Sequence, residues 1–243
     1  MFAGQALQNR FPKAFFLLLL ALLLVALPAF CQQDTITRFD AFAGLTYLNS
    51  PHISLAERGF HVQAGVRPKT WLSLGFDYSR ATGDVTILPA MLLPTLQQTL
   101  GAQLGALMAA GKVPTTYQLT VPAHSVTHTF AVGPQFAYRH FKQFTLFVRP
   151  SAGAMRERAT PHPGDLIAAG IVGQLAPAGS KLDWVKFYGF GGGIDLAPQS
   201  PVCFRVQFDL VRDHLFNDLL KDARNTVRVS IGPAFNFGRN IKD

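Results

Sequence analysis

The chain has 243 residues, a formal net charge of +8, 49% hydrophobic and 15% charged residues, and two cysteines. Beyond residue 31 no unbroken apolar run approaches the roughly 18 residues that a spanning helix needs, which excludes a helical membrane protein. One cysteine falls in the leader described next, so an internal disulfide is excluded as a source of stability.

The first element in chain order is that leader. Arg10 and Lys13 precede an apolar run from Ala14 to Phe30, and a small-residue cleavage site follows. The expectation is a secretory signal peptide over residues 1–31, with Ala29 and Cys31 in the minus-three and minus-one positions and Gln32 as the mature N-terminus. Lipidation at Cys31 and a retained N-terminal anchor helix are the alternatives; against the first, Phe30 stands where a lipoprotein signal places a small residue, and against the second, the run is short for a span. Loss of Arg10 and Lys13 leaves +6 over 212 residues, ample for one closed barrel or core. Cys203 is then alone.

Eight runs of period-two alternation follow, at 37–47, 60–67, 71–81, 125–139, 143–156, 183–196, 202–212 and 225–237. In the seventh, Val202, Phe204, Val206, Phe208 and Leu210 share one face, with Cys203, Arg205, Gln207 and Asp209 on the other. In the second, Phe60, Val62, Ala64 and Val66 oppose His61, Gln63, Gly65 and Arg67. The connections measure 12, 3, 43, 3, 26, 5 and 12 residues, alternately long and short until the end. Tight turns on one side and free loops on the other are the pattern of outer-membrane barrels.

The predicted fold is therefore all-β: an eight-stranded antiparallel up-and-down transmembrane β-barrel over residues 32–243, with long outer loops and both termini on the periplasmic side. A soluble eight-stranded barrel would reverse the faces. The polar faces decide, because they carry Gly, Ser, Thr, Gln and Arg rather than the Lys and Glu of a solvated surface. The reading is polar inward and apolar outward, with closure leaving no unpaired edge in lipid. Pro134, Pro150 and Pro233 fall inside strands, where a bulge or bend is expected.

The last strand contains SIGPAFNF, from Ser230 to Phe237. It resembles the C-terminal assembly signal of outer-membrane barrels, with Ser230, Gly232, Phe235 and Phe237 in the signal's places. FGGGIDL, from Phe190, and FRVQFDLVR, from Phe204, are similar to strands of the small outer-membrane β-barrel domain family, the OmpA-type membrane domain among them. The resemblance covers about residues 32–238. The tail from Gly238 to Asp243 departs from it, and no peptidoglycan-binding domain is expected. It implies outer-membrane location and handling by the barrel assembly machinery, and says little of activity.

Polar-face parity puts Arg38, Asp40, Arg67, Asp77, Arg149, Asp195, Arg205, Asp209 and Arg228 in the lumen. Buried charges must pair, and the guanidinium fork bonds carboxylates at two points. A salt-bridge core plugging the lumen is the expectation, and a gated pore or proton path the alternative. Five arginines against four aspartates leave a small positive excess, which would favour anions in a conducting lumen.

In the 43-residue connection no charge occurs between Val85 and Gly111. Leu93, Leu96, Leu100, Leu104, Leu107 and Met108 recur at helical steps, which predicts a helix after Pro94. It could lie in the membrane interface, cap the barrel mouth or dock a partner. The missing Lys and Arg disfavour the interface. The 26-residue loop, with Arg156, Glu157, Arg158, His162, Asp165 and Lys181, reads as a solvated loop whose cations could meet lipopolysaccharide phosphates. Trp71, Trp184, Tyr47, Tyr78, Tyr138 and Tyr188 read as girdle residues.

Catalytic signals are thin. His124 adjoins Ser125, and His52, His140, His162 and His214 are scattered, but no spacing sets a nucleophile beside a base and a carboxylate. No cofactor or metal motif occurs, GFGGGI lies within a strand, and nucleic acid is not expected as a partner. The functional expectation is a monomeric, non-enzymatic outer-membrane barrel, structural or surface-interactive, in contact with outer-membrane lipid and lipopolysaccharide. A narrow solute channel and a lipid-modifying enzyme are the alternatives.

Overall fold

The computed structural model describes residues 36–221 and 224–241; the expected signal peptide and Cys31 lie outside the described residues. Eight strands form one closed ring: β1 Thr37–Ser50, β2 Leu55–Lys69, β3 Leu72–Ile87, β4 Val121–Tyr138, β5 Phe144–Pro161, β6 Lys181–Leu196, β7 Val202–Asp213 and β8 Arg224–Asn240. Each pairs antiparallel with its sequence neighbours, and β8 returns to β1. Among the described residues no helix is long and apolar enough to cross a membrane.

Alternation sets which side chains face in. Asp40, Thr46, His61, Gln63, Asp77, Arg149, Arg205 and Gln207 are buried, while Leu45, Phe76, Val132, Phe190 and Leu210 stand half or more exposed on the outer wall. Leu45 is 72% exposed, a degree that water does not tolerate across a continuous apolar belt.

Several strands run further than the alternation does. β2 begins at Leu55 rather than 60, β3 reaches Ile87 rather than 81, β4 begins at Val121, and β5 runs to Pro161. At these upper ends the outer face turns polar, with Arg58, Asp84, Arg156 and Arg158, while the inner face mixes Glu57 and Glu157 with Leu55 and Val121, so the outward apolar period fades while the ladder continues. The long connections contract to residues 88–120 and 162–180.

The prolines do not bulge the wall. Pro134 and Pro150 fall opposite each other in the constant β4–β5 register, where the rungs between Val132↔Ala152 and Phe136↔Val148 are missing. Two donorless residues share one gap. Pro233 likewise leaves a gap between Phe42↔Ala234 and Leu45↔Ile231 without changing the β1–β8 register. The register shifts lie elsewhere, between Thr37 and Phe39 against β8 and between Val66 and Lys69 against β3.

Two helices cover the upper end. α1, Pro94–Ala109, starts on a proline in its first turn, a position where the missing N–H costs nothing. α2, Leu166–Leu175, lies in the segment read as a solvated loop. Its signal was present in Asp165 as a cap before Ile167, Ala168, Ile171 and Leu175, but Pro and Gly around it masked the period.

The seam between β1 and β8 is the last closure, and Phe237 stacks on Phe39 across it at 5.7 Å. Deleting Phe235 to Asp243 removes the rungs Ala41↔Phe235, Asp40↔Asn236 and Phe39↔Phe237. The expected outcome is loss of the compact, heat-modifiable band on gels; an unchanged band would show that closure does not depend on this segment.

Candidate functional site

The inward faces build a lumen filled in layers. Lowest, Arg205 on β7 lies in register with Asp195 on β6 and grips it at two points, Nε to Oδ1 at 2.6 Å and Nη2 to Oδ2 at 2.9 Å. Its guanidinium rests over Phe147 at 4.9 Å and near Phe42 at 5.8 Å, so the charge is sandwiched as well as paired. Asp40 accepts from Ser73 Oγ at 3.2 Å and lies 3.6 Å from both Arg67 and Arg205. Arg67 also donates to Asn236 Oδ1 at 3.0 Å.

Glutamines bridge to the next layer. Arg205 donates to Gln63 Oε1 at 3.3 Å, and Gln63 donates to Gln135 at the same distance. Above them Gln207 donates to Asp209, and Arg228, in register with Asp209, bonds it through Nε at 2.9 Å. The same arginine reaches across the lumen from β8 to Asp77 on β3 at 3.3 Å, and Arg149 closes on Asp77 at 2.5 Å. His61 Nε2 lies 3.8 Å from Asp77, with its Nδ1 at 3.0 Å from Ser230 Oγ.

Eight of the nine lumen candidates are thus brought together in two clusters. Arg38 is not among them: it is exposed at the lower end, where the ladder shift between Thr37 and Phe39 breaks the parity. The expected positive excess goes with it. Parity counted from residue 60 onward also misses Glu57, and the period reading missed Glu157 and Asp213, all buried inward. Among the described residues the buried charges are four arginines and seven carboxylates. Glu57 accepts from Thr127 Oγ1 and Glu157 from Ser125 Oγ, each at 2.9 Å.

Above the charges the lumen turns apolar. Leu215 and Phe216, from the β7–β8 connection, fold in against Ala131, Met155, Phe187 and Val211. Phe216 takes a left-handed φ of 54°, held by its N–H donating to Asp183 at 2.6 Å. α1 and α2 pack over this plug through Leu100, Ala168 and Ile171 together with Leu92, Leu119 and Val121. Backbone bonds clasp the two loops, Leu93 N to Leu219 O at 2.8 Å and Lys221 N to Met91 O at 3.1 Å. The helix after Pro94 therefore caps the mouth rather than lying flat in the interface. An almost wholly apolar cavity of about 110 Å³ remains between cap and plug, bordered by Ile53, Leu88, Val172 and Phe216.

The assembly-signal residues occupy both faces of β8. Ser230 is buried at the lumen, bonded to Thr46 Oγ1 at 3.0 Å, and Phe235 and Phe237 point out. A Cβ on Gly232 would lie 2.5 Å from Gly44 Cα, so this position admits β1 only as glycine.

His124 and Ser125, adjacent in sequence, point to opposite sides: Ser125 inward to Glu157, His124 outward. Outside, His124 Nδ1 meets Asp84 Oδ1 at 2.8 Å and its Nε2 meets Thr82 Oγ1 at 2.9 Å, a constellation the spacing did not reveal. Those distances are the ones a nucleophile, base and orienting acid require. However, the Thr82 hydroxyl gives its proton to the Ser125 carbonyl at 3.0 Å, and the surrounding β3 backbone is paired on both sides, which leaves no free N–H pair for an oxyanion. Among the described residues no group of three or more His, Cys, Asp or Glu could hold a metal ion.

No family model matches the sequence, and no curated protein matches it. Among solved structures the chain is similar to Neisserial surface protein A at 12% identity and a TM-score of 0.50, covering 82% of this chain and 96% of that one. Ail, the attachment invasion locus protein of Yersinia pestis, aligns at 10% identity with a TM-score of 0.42, over 83% and 99%. The N-terminal β-barrel domain of Pseudomonas aeruginosa OprF aligns at 9% with 0.41, over 84% and 100%. The first likeness is one of fold: the eight-stranded barrel of small outer-membrane proteins, the fold implied by the OmpA-type resemblance.

Asp195→Ala removes the two-point partner of Arg205, leaving it Gln63 and the more distant Asp40, and is expected to lower the unfolding free energy in urea by about 3 kcal/mol. The double replacement Asp195→Leu with Arg205→Met removes both charges and is expected to cost far less, measured the same way.

At the cap, Asp165 accepts from Ile167 N at 2.9 Å, Ala168 N at 2.8 Å and the Tyr117 hydroxyl at 2.8 Å. The backbone donors, with Tyr117, hold its carboxyl below the usual range. Burial and the neighbouring carboxylate push the Tyr117 phenol up to about 12. A lowered carboxyl favours the capped helix at every pH above the ordinary carboxylate value, and that help is lost as pH falls through the lowered one. Amide exchange at Ile167 and Ala168 is expected to quicken on acidification and to be fast at all pH in Asp165→Ala, in which the Tyr117 phenol also titrates lower.

Proposed function

We propose that this chain is an integral outer-membrane barrel with its termini in the periplasm, whose work is structural or interactive: it seals its own lumen and presents a helical cap outward. The observation that carries the reading is the pairing of an exposed apolar wall with a lumen whose arginines and carboxylates are bonded across it. Hydrocarbon is the surrounding in which that wall is stable, and every strand edge is closed as lipid demands. Eight strands enclose a space that side chains alone can fill.

Support for a closed lumen comes from the cross-lumen reach of Arg228 to both Asp209 and Asp77, capped by Leu215 and Phe216. The partners of this reading are outer-membrane lipid, lipopolysaccharide and, during biogenesis, the barrel assembly machinery acting on the Ser230–Phe237 segment. A single chain suffices, because the ring leaves no strand unpaired.

Planar bilayers test it against the channel alternative. Purified full-length protein is expected to give no stepwise conductance; regular open steps would replace the sealed-barrel reading with that of a pore. Lipid mass spectrometry of cells with and without the protein is expected to show unchanged lipid species, and a species that depends on the protein would favour the lipid-modifying alternative.

A further inference from the structure

The outer wall above the apolar belt carries cations with almost no carboxylate beside them. Register sets Phe60, Arg80, His128, Arg156 and Trp184 side by side on five successive strands, β2 to β6. In the row above, Arg58 and Arg158 stand on the same face, and in the row below lie Tyr78, Phe130 and Lys186. Neighbouring strands are about 4.8 Å apart, so the stems of Arg80 and Arg156 stand roughly 10 Å apart with His128 between them.

This row is held in place by its surroundings. The Arg156 guanidinium lies over Trp184 at 5.7 Å, and His128 Nδ1 meets the Tyr78 hydroxyl at 2.9 Å. Beneath, rings form an unbroken band: Phe60 to Tyr78 at 5.9 Å, Tyr78 to Phe130 at 5.1 Å and Phe130 to Trp184 at 6.1 Å. Arg156 Nε is buried with no hydrogen-bond partner. The acids of these strands face elsewhere: Glu57, Asp77 and Glu157 are buried in the lumen. Among the described residues the outward carboxylate on β2 to β6 is Asp84, and it is tied to His124 at 2.8 Å. Five cations gathered with no acid among them repel one another, and an anion relieves the strain.

We propose that this patch binds a membrane lipid carrying more than one phosphate. Phosphate oxygens meet Arg80 and Arg156, with Arg58, Arg158 and Lys186 around them, and the acyl chains descend across Phe130 and Trp184 onto the exposed Val132 and Phe190. The inference rests on the membrane-embedded reading given above, with the helical cap outward, and the occupant is then the phosphorylated glycolipid of the outer leaflet. Five cations exceed what one phosphate neutralises, which sets this lipid apart from a common phospholipid. Arginine suits the role because its fork meets phosphate oxygens in pairs.

The test is native mass spectrometry of the full chain in detergent micelles, titrated separately with bis-phosphorylated lipid A, its fully dephosphorylated form, phosphatidylglycerol and inorganic phosphate. The wild type is expected to retain bis-phosphorylated lipid A, less so as salt rises, and to release the other three. Arg80→Gln with Arg156→Gln is expected to weaken retention roughly ten-fold or more, while Arg38→Gln at the opposite end leaves it unchanged. Equal retention by the double variant, or equal retention of phosphatidylglycerol or free phosphate by the wild type, overturns the proposal. All variants are first checked for the heat-modifiable band and for insertion into vesicles. Failure of the wild type to insert would instead bring down the membrane reading, and this site with it; Arg58→Gln with Arg158→Gln serves as the second pair should the first not fold.

Discussion

Ring closure is the constraint from which the rest descends. A strand in hydrocarbon has no water to bond its edge, so β8 must find β1, and the pairing of Phe39 with Phe237 and of Leu45 with Ile231 completes the ladder. Once the ring is closed, the alternation of each strand is no longer free. One face must satisfy lipid, and the other must fill a narrow cylinder with whatever polar groups the period has placed there.

That second demand explains why the lumen is built from charge rather than from more leucine. Arg205 and Asp195 are register partners on adjacent strands, as are Arg228 and Asp209, so each pair forms without any side chain crossing open space. Arg228 then extends to Asp77 on a strand far round the ring, which ties opposite walls together. Burying these ions has a desolvation cost of several kcal/mol each, and pairing offsets it only while the partners stay in place. Among the described residues the buried carboxylates outnumber the buried arginines, and hydroxyls bond several of them, Thr127 to Glu57, Ser125 to Glu157 and Thr226 to Asp213.

Much of this could be read from the chain alone, because period two is a rigid rule. Knowing that Phe204 faces out forces Arg205 in, and the same logic carried Asp40, Arg67, Asp77 and Arg149 to the lumen. It failed where the physics that writes the period was absent. Arg38 obeys the parity, but a ladder shift next to it turns it outward. Above the belt the outer face turns polar and the inner face mixes Glu57 and Glu157 with Leu55, Ile87 and Val121, so the outward apolar stripe that marks the strands lower down is lost there. The Thr82–His124–Asp84 chain and the basic row on β2 to β6 depend on register between strands distant in sequence, which no local pattern encodes. α2 was hidden for another reason: Asp165 and the apolar residues after it carry its signal, but the Pro and Gly around them break the period.

Pro134 and Pro150, facing each other without a rung between them, have a mechanical meaning. A cylinder of evenly spaced bonds resists deformation equally in every direction, whereas one with a bondless line along part of its height has a preferred axis of bending. With this gap in the β4–β5 wall and a second beside Pro233 in the β1–β8 seam on the far side of the ring, the tube is least cross-linked along one diameter, and Arg149, next to Pro150 and paired with Asp77, stands at one end of it.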